Sequence, residues 1–326
     1  MSVGDGDQNS AEEDKLRKRV AEWLQGEGYP TEYKTANIFR QNEFSVNQGG
    51  YVVSRDPSSG RDIKRELDVV ASKTVWTPGH DFFLRVSHVV ECKWSRDKPW
   101  VVFTSPSTRM APTACAAQSI ASIFCESIIW TIAGDPILHA LDLFATPEEG
   151  GFGGRQALAN GQQDHFYSAL KSVVENTYSH VAEMDRAPRA DGGVPRAAEI
   201  AFPVVVVDGR LFKASFDPSE NSMKLDEADH VRCHWKGSTS AVAFSTVDIV
   251  TLNGLEAFVD KRARETRKLL GLMMPIAQKI QECAKLRSLE GLEITQGGRG
   301  MLGLPTLLRE IARLQAENSS DAEVPD

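Results

Sequence analysis

Two runs of this chain decide its fold: Arg65-Glu-Leu-Asp-Val-Val-Ala71 and Phe82-Phe-Leu-Arg-Val-Ser-His-Val-Val-Glu-Cys-Lys93. Both are rich in β-branched and aromatic residues, and Pro78-Gly79 between them supplies turn chemistry, so they read as two strands. Side chains alternate faces along a strand. Glu66, Asp68 and Val70 are therefore expected on one side of the first run, and Val89, Glu91 and Lys93 on one side of the second. On that reading two acids and a lysine converge at one edge of a sheet. The competing reading of Glu-x-Lys is an ordinary cross-strand surface pair. It is disfavoured because both runs are apolar on the opposite face and carry their acids where a buried strand ends.

An acid, an apolar run and then Glu91-Cys-Lys93 resembles the PD-(D/E)xK nuclease superfamily, in the variant where Arg-Glu-hydrophobic-Asp precedes the apolar run, here Arg65-Glu-Leu-Asp68. The pattern departs from the superfamily at its Pro-Asp dipeptide, which is Leu67-Asp68 in this chain. The chemistry suits the residue types. A hard divalent cation such as Mg2+, with Mn2+ as substitute, takes carboxylate oxygens from Asp68 and Glu91 and a neutral oxygen from the carbonyl of Cys92. It would activate water and neutralise a phosphate, while Lys93 orients the water or steadies charge developing on phosphorus.

The resemblance extends to a helix expected from Pro30 or Thr31 to about Asn42. There Glu32, Ala36 and Phe39 share one stripe, so Glu32 points inward as an active-site acid or else complements the helix N-terminus. It also implies a role for Gln118, on a buried helix expected from Thr113 to about Ala133. Helix, strand, turn, strand, strand is the order of the superfamily's core. The resemblance thus implies an α/β fold of restriction-endonuclease type, a mixed β-sheet flanked by helices with helical additions, and a Mg2+-dependent endonuclease acting on DNA in restriction or defence. The rival expectation is a nuclease fold that no longer cuts and serves as a scaffold or nucleic-acid-binding subunit.

Composition sets the frame. The chain has 326 residues, 41% of them hydrophobic and 25% charged, as in a globular protein. It lacks an uninterrupted apolar run of membrane-spanning length. The acidic start, with Asp5, Asp7, Glu12, Glu13 and Asp14, has no signal-peptide layout, so a cytoplasmic protein is expected. A net charge of -8 argues against indiscriminate coating of nucleic acid, because Lys and Arg neutralising phosphates supply most of that affinity. A nuclease this acidic needs local basic surface, from a homodimer or a partner subunit, to load DNA. The five cysteines show no zinc spacing, and His230, Cys233 and His234 cannot all face one way in a strand.

The remaining elements follow from periodicity. Residues 1–12 read as a disordered acidic tail, 13–285 as one nuclease-like domain and 286–326 as a short helix and tail. Within the domain lie core motifs over 31–133, further strands over 200–250 and a helix over 254–285. Glu149-Gly-Gly-Phe-Gly-Gly154 reads as a mobile loop. Phe202-Pro-Val-Val-Val-Val-Asp208 reads as a buried central strand. On the helix from Gly254, Asp260 with Arg264 and Lys261 with Glu265 fall at salt-bridge spacing, and Pro275 should kink or end it.

Overall fold

The structure, a computed structural model, describes residues 5–55, 60–79, 81–95, 98–106, 111–117, 119–158, 165–186, 195–235, 245–293 and 304–321. The elements are α1 (Asp5–Gly26), α2 (Tyr29–Gln41), β1 (Ser45–Arg55), β2 (Asp62–Trp76), β3 (Phe83–Trp94), β4 (Trp100–Pro106), α3 (Pro112–Ala117), β5 (Ile120–Ala121), α4 (Ile123–Ile132) and α5 (Pro136–His139). They continue with β6 (Glu149–Gln156), α6 (His165–Asp185), β7 (Ala197–Asp208), β8 (Leu211–Asp217), β9 (Ser222–Glu227), β10 (His230–Trp235), β11 (Ser245–Thr251), α7 (Leu255–Leu286) and α8 (Thr306–Asp321).

The unbroken apolar run predicted as a central strand is β7, buried along nearly its whole length, and the architecture grows from it. A strand apolar on both faces must be covered on both. β7 pairs in parallel with β3 on one side and with β11 on the other, while the short β5 pairs with its first half. Together the strands form one 11-stranded mixed sheet in the order β1-β2-β3-β7-β11-β10-β6-β4-β8-β9. On one face α4, α7 and α8 cover Leu84, Val86, Ile200 and Phe202. Next to that layer α2 and the start of α7 cover Val69, Ala71, Val90, Val204 and Val206. On the other face α6 lays Phe166, Leu170, Val173 and Val174 over Val205, Val207, Val247 and Ile249.

The α/β class and the mixed sheet are as expected, and several local expectations are corrected. Residues 149–154 form β6, between β10 and β4, and their glycines answer a need for close approach. A Cβ at Gly151 would lie 2.5 Å from the Cys233 sulfur, and one at Gly154 would lie 2.6 Å from the Phe166 ring. The helix expected over 113–133 is broken into α3, β5 and α4, because Ser122 caps a fresh helix by accepting the Cys125 N–H. α7 continues through Pro275 to Leu286. Pro275 and Gly271, whose carbonyl loses its partner, both face solvent, where water can serve that oxygen. α1 begins at Asp5, inside the expected tail, and α8 runs to Asp321.

Candidate active site

β2 and β3 form a regular antiparallel ladder from Trp76↔Phe83 to Val69↔Val90, and there it stops. Beyond it β3 stays paired with β7 as far as Trp94↔Asp208, so a gap opens between β2 and the end of β3. Asp68 stands at the mouth of that gap. Its Oδ2 accepts the backbone N–H of Cys92 at 2.7 Å, a donor that an extended ladder would have used. The N–H and C=O of a strand residue point to the same edge. The Cys92 carbonyl is therefore directed to the Asp68 side as well.

Strict alternation fails here. The β1–β2 ladder skips the pair Gly49–Asp68, and Gly49 has a φ of 64°. The ribbon rolls over at this point, because Leu67 and Val70, three residues apart, both join the cluster with Val89 and Val181. Glu66, Asp68 and Val70 consequently do not share one face. Asp68 is brought to Glu91 by the roll and by the Cys92 N–H. The cluster also lies inside the sheet, between its second and fourth strands, and not at an edge.

Lys93 Nζ donates to Glu91 Oε1 at 2.5 Å, and the other Glu91 oxygen accepts from the Ser172 hydroxyl of α6 at 3.2 Å. Glu32, in the first turn of α2, is half-buried and close enough to Glu66, Glu91 and Lys93 for their charges to act on it. That turn is fixed to the strand ends: Thr31 Oγ1 donates to Asp208 Oδ2 at 3.1 Å, and Thr35 packs its hydroxyl against the Cys92 sulfur at 3.7 Å. Asp68, Glu91, Lys93 and Glu32 thus come together. Gln118 lies outside the described residues.

The electrostatics are those of a site with too much negative charge. Burial, and then the Glu91 charge, push the Asp68 carboxyl up to about 7. Burial and the nearby Glu66 raise Glu32 in the same sense. Burial works against the Lys93 ammonium, but Glu91 and Asp68 outweigh it and hold its pKa above the usual range. Lys93 is therefore a firm cation and cannot serve as a base near neutrality. The Cys92 thiol is raised, first by burial, so the hard backbone oxygen and not sulfur is the ligand this residue offers.

Among the described residues no three His, Cys, Asp or Glu side chains gather closely enough to hold a metal ion by themselves. A magnesium-type set differs from such a cage, since Mg2+ keeps several waters and uses one or two carboxylates. Asp68, Glu91 and the Cys92 carbonyl fit that requirement, and a cation there would relieve the repulsion that raises Asp68.

α6 contributes residues that sequence reasoning passed over. Besides Ser172, the buried Asn176 donates from Nδ2 to the Glu66 carbonyl at 3.2 Å, and Glu175 pairs with Arg65 at 2.8 Å. The signal was a polar stripe, Ser172, Glu175, Asn176 and Ser179, on a helix read only for its apolar face. Comparison of the chain with protein-family models, with curated proteins and with solved structures finds no match.

Proposed function

We propose that this protein is a metal-dependent deoxyribonuclease of the restriction-endonuclease type, with Asp68 and Glu91 as ligands of Mg2+ or Mn2+, the Cys92 carbonyl as a third oxygen, and Lys93 as the catalytic cation. One observation carries the reading. Where β2 and β3 part, two acids and a charged lysine are brought into one half-buried gap, and Asp68 is left under-compensated there. Perturbed acids gathered in a cleft mark functional sites more often than structural ones.

When bound, the cation supplies an activated water and a counter-charge for phosphate. The chain's own groups do the rest. Lys93, held by Glu91, directs its ammonium at charge that grows on the phosphoryl oxygens. Ser172 fixes the second Glu91 oxygen, and Asn176 fixes the β2 backbone beside Asp68. Glu32 is placed to accept a proton or to complete the oxygen shell.

Incubation of the full chain with plasmid, linear and single-stranded DNA, with and without magnesium, tests this directly. Magnesium-dependent cleavage that falls by about 10²- to 10³-fold in Lys93→Ala is expected. A protein that cuts none of these and takes up no manganese would instead be a nuclease-fold scaffold.

A further inference from the structure

β9 ends the sheet, and among the described residues no strand lies beyond it. It pairs with β8 in unbroken register from Asp217↔Ser222 to Phe212↔Glu227, yet every one of its residues is exposed. A strand open to solvent on both faces has no internal reason to be apolar. Met223 and Leu225 are nevertheless more than half exposed, and so is Phe216 of β8, which stands opposite Met223. Directly opposed residues share a face, so these side chains form one apolar strip. The other alternation carries Leu211 and Ala228 into the cluster under α6, which places the strip on the side of the sheet turned away from that helix. None of the buried clusters takes up Phe216, Met223 or Leu225.

The backbone of this edge is equally defined. The Ala228 N–H donates to the Leu211 carbonyl at 2.9 Å. The N–H and C=O of one strand residue point to the same edge, and the edge alternates along the chain. Asp226, Lys224 and Ser222 are therefore bonded toward β8, while the backbone groups of Met223, Leu225 and Glu227 point outward. Such an edge is a template for another strand. Lys224 and Asp226, on the α6 side, select which one. They lie 3.3 Å apart and both stay largely exposed. A second β9, antiparallel about a twofold axis at Leu225, sets Leu225 against the partner's Leu225 and Met223 against the partner's Glu227, so that every outward N–H and C=O is used. It also sets Lys224 against the partner's Asp226, twice over by symmetry. Sliding the pair two residues either way brings Lys224 against its own copy or Asp226 against its own copy, and like charges directly opposed are destabilising.

We propose that the protein self-associates through β9, two copies joining edge to edge into one continuous sheet about a twofold axis at Leu225. The charges that discourage a foreign strand at this edge are complementary to those of a second copy in this one register. A single short strand is a small contact, so the dimer belongs to the weak class.

Sedimentation velocity of the full chain over about 1–200 µM should show monomer passing into dimer, as a contact of this size implies. A monomer throughout overturns the proposal. Lys224→Asp opposes acid to acid twice and should weaken association at least about tenfold, and adding Asp226→Lys should restore it to within about threefold of the parent. Leu225→Pro removes an outward N–H that β8 does not use, at an edge where proline is tolerated. It should abolish the dimer and leave the urea midpoint near that of the parent. Should that variant fail to fold, the charge exchange decides alone. A dimer that withstands Lys224→Asp forms elsewhere, on the exposed Leu16, Val20 and Trp23 stripe of α1 for example, and overturns the proposal. Failure of the exchanged pair to restore association does the same. No readout here involves DNA or metal, so each stands whether or not the chain is a nuclease.

Discussion

Two clusters of buried charge lie in this molecule, and they are built on opposite plans. Around Asp248 of β11, Arg232 forms a bidentate pair at 2.9 Å through both contacts, Arg262 adds a bond at 3.1 Å and His230 one at 2.7 Å. Arg262, itself 1% exposed, is shared with Glu265 at 2.6 Å, and Arg232 also donates to the carbonyls of Asp142 and Ala145. Burial opposes the Asp248 charge, but the two arginines overcome it and hold its carboxyl well below the usual range. At Asp68 the balance runs the other way. Two further acids and one lysine surround it, and the carboxyl rises to about 7. A cluster that neutralises itself is finished as a piece of structure. One that does not keeps a carboxyl raised by burial and by its neighbours, which is the feature the proposed metal site rests on.

Removing Asp248 should have the largest effect on the fold. Asp248→Ala leaves the buried Arg232 without its acid and Arg262 with Glu265 as its near partner, and is expected to cost about 3–5 kcal/mol in urea unfolding, because an orphaned buried charge carries its full desolvation penalty. A loss under about 1 kcal/mol would mean that this network is solvated after all.

The mirror experiment is Lys93→Ala. It should reduce DNA cleavage by about 10²- to 10³-fold, as expected when a preorganised group facing transition-state charge is lost, and should leave the urea midpoint close to that of the parent. A midpoint that drops as far as in Asp248→Ala would make Lys93 structural and erase the contrast.

The two kinds of acid also differ in the sign of their pH dependence. Asp68 has a folded pKa raised above its unfolded value, so its native form keeps a proton that the unfolded chain gives up. The penalty it imposes grows as pH rises from about 4 to about 7 and is constant above. In metal-free buffer Asp68→Asn should therefore stabilise the protein, by up to about 4 kcal/mol at pH 8, and by very little at pH 4. Glu199 behaves in the opposite way. Burial opposes its charge, but His180 at 3.0 Å and Arg85 at 2.6 Å outweigh burial and depress its pKa. Its stabilisation is present above the unfolded carboxylate pKa and lost as acid takes the pH down through the lowered folded value. Glu199→Gln should flatten the acid limb of the stability curve, and an unchanged limb would count against that assignment.

The smallest expected effect is at Glu32. Glu32→Gln should lower cleavage by about tenfold, short of the roughly 10²- to 10⁴-fold of a full general acid or base and in keeping with a supporting role. Activity equal to the parent would confine Glu32 to the helix N-terminus.

The sequence by itself determined the β-strand runs around Asp68 and Glu91, the buried central strand at 202–208, the mixed α/β class and the inward stripe of α2 that carries Glu32. These are legible because period-two and period-3.6 patterns are local records of burial. What it misjudged depended on partners distant in the chain. The glycines of β6 read as a loop because their reason is the bulk of Cys233 and Phe166 pressed against them. Lys261 and Glu265 were expected to pair along α7, yet Lys261 reaches Asp142 at 2.5 Å and Glu265 is taken by the buried Arg262. The desolvated guanidinium has the stronger need of a carboxylate. At the site, spacing placed the acids on neighbouring strands, but only the tertiary structure decided how they meet. The roll at Gly49–Asp68, the end of the β2–β3 ladder and the arrival of α6 with Ser172 and Asn176 all involve contacts between distant segments, with β3 lying along β7 and α6 packed beside them. That packing is set by residues more than a hundred positions away in the chain.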